Sequence, residues 1–162
     1  MVEPSAAQQE RLEELGGRVV NLYRVLGNHP DLLQSWVEFA WALRQRCTTS
    51  RALRELVILR VAHLTGSTYE WTAHVKMAQA AGVPEAQIQA LPAWSTSGCF
   101  DEVERAVLAH ADAIVAGHVP DEVFAEVRRH FSEAETIELT VTAGIYSGLA
   151  RVLDAFQVPI ER

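Results

Sequence analysis

The stretch that decides the fold runs from Arg51 to Gly82, RALRELVILRVAHLTGSTYEWTAHVKMAQAAG. In its first half Val57, Ile58, Leu59, Val61, Ala62 and Leu64 cover nearly every side of a helix opened by Thr48-Thr49-Ser50. A helix that is apolar all round is a buried one, so residues 50–64 are expected to be central. Thr65-Gly66 stops that helix, and a second begins at once, from Ser67 to Ala81, with Gly82 and then Pro84 as its stop signals. The two form a buried hairpin at the heart of an all-α helical bundle.

The second helix raises a chemical question. Ser67, Glu70 and His74 are spaced three and four apart, which stacks them on one face, and Met77, Ala78 and Ala81 continue that face as an apolar stripe. The stripe points inward, so Glu70 and His74 need a partner, a proton or a cavity. Part of the set has an ordinary explanation: Ser67-x-x-Glu70 has the form of a capping box, as do Asp101-x-x-Glu104 and Ser132-x-x-Glu135. Capping does not explain an imidazole in mid-helix. Glu55 lies among Leu53, Leu56, Val57 and Ile58, where an unpaired carboxylate costs several kcal/mol, so it is expected to meet Arg60, His63 or His74 across the hairpin.

Outward from the hairpin, apolar residues recur at three and four, and no run alternates as a strand does. A first amphipathic segment, interrupted by Gly16-Gly17, ends near Leu26; helices are expected over Asp31–Arg46, from Asp101 to Gly117, from Pro120 to His130, and from Ser132 to Phe156. PEAQIQAL makes a short helical turn, and PAWSTSGCF a loop. His29, His110, His118 and His130 fall at or near helix ends, where they interact with helix termini or water. Trp36, Trp41 and Trp94 read as core or interface anchors.

The 162 residues, 49% hydrophobic and 22% charged, suffice for one compact domain over 1–162, its core at about 30–160. A net charge of −7, with Lys76 the only lysine, excludes a basic surface for nucleic acid. No apolar run reaches the ~18 residues of a membrane span and no secretory leader is evident, so a cytoplasmic protein is expected. Cys47 and Cys99 are far apart and outside any CxxC spacing, consistent with reduced thiols. Glu70 and His74 could hold a metal with Glu55 or His63, but ligands one turn apart recur by chance, and no metal or cofactor is expected.

The run ELVILRVAHLTGSTYEWTAHVKMAQAAGVPEAQIQAL, Glu55 to Leu91, resembles the carboxymuconolactone decarboxylase family, and IELTVTAGIYSGLARVLDAFQVPIE, Ile137 to Glu161, is similar to that family's closing helix. The superfamily also includes alkylhydroperoxidase D-type proteins, whose motif is a Glu, a CxxC pair and a His four residues on. Carried over by position, these fall on Glu55, Ser67, Glu70 and His74. Both sulfurs are missing, so thiol–disulfide exchange is not implied.

The resemblance implies a cofactor-free enzyme that decarboxylates, or moves a proton on, a small carboxylated cyclic or lactone-type substrate. On that reading His74 is assigned as general acid/base, Glu55 as its orienting partner and Glu70 as a second carboxylate; Ser67 and Tyr69 are expected to donate to the substrate, and Tyr69, Trp71 and His63, next to the stripe or on the facing helix, to line the pocket where they do not simply pack in the core. The resemblance also implies a homo-oligomer, a trimer or a hexamer. The alternatives are a non-catalytic ligand-binding or assembly protein on the same fold and, less favoured, a peroxidase-type redox protein.

Overall fold

The computed structural model describes residues 19–161 and, before them, Glu3, Ser5, Ala6, Gln9, Glu10 and Glu13. The Gly16-Gly17 break lies outside the described residues. Among the described residues from 19 onward there are eight α-helices: α1 (Asn21–Leu26), α2 (Pro30–Gln45), α3 (Arg51–Thr65), α4 (Thr68–Ala80), α5 (Glu85–Ala90), α6 (Glu102–Ala116), α7 (Asp121–His130) and α8 (Glu133–Ala155). There is no strand among the described residues. None of the described helices is long and apolar enough to cross a membrane.

The centre of the molecule is α3, in which every residue from Arg54 to Ala62 is buried. Leu56 and Leu59 pack with Ala78, Val83, Ile88, Leu91 and Leu108 on one side, and Val57 and Val61 with Val107, Ala111, Leu139 and Ala143 on another. Each buried Val, Leu or Ile among them contributes about 1.5–3 kcal/mol, which is why propensity alone does not decide this helix. Ser50 caps its start by accepting from the Leu53 amide at 3.1 Å. Gly66 ends it in the left-handed region at φ 68°. No neighbour would meet a Cβ there, so the backbone angle alone demands glycine.

A third apolar cluster holds the outer wall: Leu22 and Tyr23 of α1, Leu33 and Val37 of α2, Leu149 and Leu153 of α8, and Val158. It encloses the polar face of α4 instead of exposing it. Asp101 and Ser132 complete the capping boxes expected of them at α6 and α8. Two local expectations are corrected. The first half of the PAWSTSGCF loop is a 3-10 helix, Leu91–Thr96, whose carbonyls at Leu91 and Pro92 accept from Arg60 Nη1 at 3.0 and 3.2 Å. His110 is not near a helix end: it is buried in the middle of α6, 2.8 Å from Thr140 Oγ1, and burial pushes its pKa down.

Candidate active site

Helix α4 begins with Ser67 accepting from the Glu70 amide at 3.4 Å. The return half of that capping box is absent, because the Glu70 side chain turns to His74 instead, Oε2 lying 3.3 Å from Nε2. On the other ring nitrogen, His74 Nδ1 lies 2.7 Å from Glu55 Oε2. All three side chains are almost wholly withdrawn from water, Glu55 at 0%, Glu70 at 3% and His74 at 4% exposure. The second oxygen of Glu55 meets the guanidinium of Arg51, one turn earlier on α3.

Arg60 does not serve Glu55. Its guanidinium pairs with Asp112 on α6 at 2.6 and 2.9 Å, and Asp112 also accepts from the Trp94 indole at 3.1 Å. Sequence reasoning missed Arg51, although its i,i+4 relation to Glu55 was a usable signal.

Two carboxylates, one guanidinium and one imidazolium sum to zero, whereas a neutral imidazole would leave a net buried negative charge. Burial acts first and downward on the His74 pKa, but the hydrogen bonds and negative charge of Glu55, then Glu70, outweigh it and hold the value above the ordinary one. The ring is further fixed by Tyr146 of α8, edge-on at a centroid distance of 5.0 Å and an interplanar angle of 90°.

Beside this cluster lies a cavity of about 420 Å³, in the size range of small-molecule sites. Glu70 and His74 line it and Glu55 does not; on the ring, Nε2 is turned to Glu70 and Nδ1 to Glu55. Tyr23, Trp36, Arg44 and Tyr146 supply other walls. Burial raises the Tyr146 pKa, with the charge of Glu70 adding to it. Tyr69 also lines the cavity; its hydroxyl donates to Glu161 Oε1 at 2.7 Å, and Glu161 Oε1 accepts from the Asn21 amide at 2.6 Å.

Three residues expected toward the substrate are placed elsewhere. Ser67 borders a second hollow, of about 500 Å³, between the α3–α4 turn and α8, with Tyr69 on the edge of both. Trp71 packs into the apolar cluster around Leu56 and Leu59, and His63 is exposed with its ring 6.5 Å from that indole. Neither lines the cavity: Trp71 is one residue round α4 from Glu70, and His63 lies near the end of α3. Among the described residues, the side chains that converge closely enough to share a metal ion are Glu102, Glu126 and His130, none of them at the cavity. Cys47 and Cys99 do not line it either.

The chain matches the carboxymuconolactone decarboxylase family over residues 30–113, and it belongs to that family. It is 29% identical over 100 residues to the uncharacterized protein YdfG of Bacillus subtilis (strain 168), covering 60% of this chain and 68% of that one. Its fold is that of an Agrobacterium tumefaciens protein of unknown function, ATU0492, suggested to be the antioxidant defence protein AhpD: TM-score 0.78, 25% identity, 85% of this chain and 96% of that one. The debrominase Bmp8 shares the fold at TM-score 0.83 and 23% identity, over 99% of this chain and 92% of that one. A cysteine-to-alanine variant of Bmp8 is known in complex with 2,3,4-tribromopyrrole. The family thus takes its name from one enzyme, and its fold is shared by another.

Proposed function

We propose that this protein is a cofactor-free acid/base enzyme acting on a small carboxylated cyclic or lactone-type substrate, with decarboxylation as the leading reaction. The observation that carries the reading is the His74 ring, held between two buried carboxylates and lining a cavity, with its pKa held above the ordinary value. The family's name, that of a decarboxylase of a carboxylated lactone, supports the substrate class.

In this reaction the bond from ring carbon to carboxylate breaks and carbon dioxide leaves. The electron pair spreads into a conjugated carbonyl, and the carbon then takes a proton. His74 gives that proton through Nε2 and is recharged from water. Glu55 orients the ring and stabilises its charged form, while Glu70, on the cavity side, relays or stabilises the proton. A redox reading finds less support, because Ser67 and Glu70 stand where thiols would be needed and neither cysteine reaches the cavity.

The same reading takes the chain as one domain working as a homo-oligomer, trimer or hexamer. Unbridged Cys47 and Cys99 fit the reducing cytoplasm.

The test is carbon dioxide release from a panel of carboxylated lactones and cyclic β-keto acids, by wild type and His74→Gln. A positioned acid/base contributes about 10²–10⁴ in rate, so the variant is expected to lose that factor on whichever substrate turns over. Full turnover by His74→Gln would refute the proton-transfer role.

A further inference from the structure

The charged side chains around the hairpin are nearly all matched. Arg51 pairs with Glu55, Arg54 donates to the Thr49 hydroxyl, and Arg60 pairs with Asp112. Glu70 is engaged by His74, and Glu161 by Tyr69 and the Asn21 amide. Two cations on the cavity differ. Lys76 of α4 has no ion pair among the described residues but is exposed to solvent, whereas Arg44, near the end of α2, has its Nε cut off from solvent and without a hydrogen-bond partner. The Nε of Arg54 is orphaned in the same way, but both its Nη atoms donate, which those of Arg44 do not to any described residue. Among the described residues the Arg44 guanidinium forms no ion pair. The Tyr23 and Tyr146 hydroxyls, on the same cavity, have no hydrogen-bond partner among the described residues either.

A cation with a desolvated, unmatched nitrogen is costly, and such groups persist where something else completes them. A guanidinium presents only donors and carries a positive charge, and the two phenol hydroxyls can donate beside it, so the group that completes it is an acceptor with negative charge. A guanidinium fork fits a planar carboxylate with two parallel bonds. Its sign also excludes a second cation as occupant. The Trp36 ring on the same wall offers an apolar face to a flat organic body.

We infer that Arg44 is the carboxylate-binding residue of the cavity, flanked by the Tyr23 and Tyr146 hydroxyls, and that the site selects small cyclic organic anions over their uncharged analogues. This rests on the proposed function for the location of the ligand but not for the reaction. Arg44 fixes the anionic end, and His74 and Glu70, on the same cavity, then meet the remainder of the molecule.

The test is binding, read without turnover. Benzoate and methyl benzoate serve as probes, titrated by calorimetry and ligand-observed NMR into wild type, Arg44→Gln, Arg44→Lys and His74→Gln. Benzoate is expected to bind wild type, and its dependence on position 44 to persist when the Arg44 substitutions are made in a His74→Gln background. Arg44→Gln should weaken it by about 10- to 100-fold, the usual effect of a hydrogen bond to a charged group. Arg44→Lys, a point charge without the fork, should fall between. Methyl benzoate should bind wild type more weakly than benzoate and be indifferent to position 44.

Thermal unfolding separates recognition from structure, since removing an unmatched cation should leave the melting temperature unchanged or raise it. Benzoate affinity unchanged in Arg44→Gln would overturn the inference. So would an ester affinity that falls in parallel, or a wild type that binds neither probe. The two readings fail separately: active His74→Gln removes the proton-transfer role and leaves the anion selectivity standing, whereas undiminished benzoate binding by Arg44→Gln does the reverse.

Discussion

His74 meets opposite charge on both ring nitrogens, and this makes its protonation part of the fold. Because its folded pKa lies above the ordinary value, folding takes up a proton there. The resulting stability is fully present below the unfolded value of about 6.5 and is lost as pH rises through the higher folded one. The stability difference between wild type and His74→Gln, from urea melts, should therefore be largest below the unfolded value of about 6.5 and shrink as pH is raised above it. A difference independent of pH would assign the effect of His74 to packing alone. The pairing of Glu55 with His74 was legible because a carboxylate on an apolar helix must find a donor. The wall residues Tyr23, Trp36, Arg44 and Tyr146 were not, because they come from α1, α2 and α8 and only tertiary packing brings them to α4. Glu70 was ambiguous for a local reason: its spacing from Ser67 suits a cap, and its spacing from His74 suits an ion pair.

At the scale of the elements, helix starts and stops were readable to within a residue or two, since Ser50, Ser67, Asp101 and Ser132 each accept from the amide three residues on. What the sequence did not disclose is how the turn before α3 is held. Glu138 of α8 reaches it, accepting from the Thr48 and Thr49 amides at 2.8 and 2.9 Å and from their hydroxyls at 3.2 and 2.8 Å. Burial acts on this carboxyl first and upward, yet those donors, Thr49 ahead of Thr48, outweigh it and lower its pKa. Its contribution to stability is thus present above the ordinary carboxylate range and lost as pH falls through the folded value. Glu138→Ala is expected to destabilise the protein by about 1–3 kcal/mol, since it orphans donors at the start of the central helix. A denaturation midpoint within error of wild type would show that water replaces those bonds without loss. The 3-10 segment at Leu91–Thr96 was missed because its order comes from Arg60 reaching in from α3, not from its own residues.

At the scale of the whole molecule, the apolar excess of α3 is covered within the chain by α4, α6 and α8. The surplus that remains is on the surface, with Ile137 56% and Phe156 65% exposed on and just after α8, and Leu32 53% exposed on α2. Self-association is the usual remedy for such surface. Light scattering at micromolar concentration is expected to show a trimer or hexamer, and Ile137→Asp combined with Phe156→Asp to shift it toward the monomer. A monodisperse wild-type monomer would return those residues to the ordinary scatter of exposed side chains.

The contacts of Glu161 bear on the order in which the molecule is assembled. Glu55 and His74 are 19 positions apart and sit on adjacent helices, so their meeting needs only a short loop to close. Glu161 and the Asn21 amide are 140 positions apart, and until they meet the cavity lacks the side that α1, Ile160 and Glu161 supply. Closing the longer loop carries the larger entropy, and contacts of long sequence separation are slow to form. The charged pair should thus be in place on a folding chain before there is an enclosure for a ligand, and the enclosure should be the first part to reopen. Native-state amide exchange is expected to give α1 and residues 158–161 much lower opening free energies than α3, so that the wall breathes while the hairpin stays shut. Equal protection of both regions would mean that they open only together, and a ligand could then leave no faster than the whole protein unfolds.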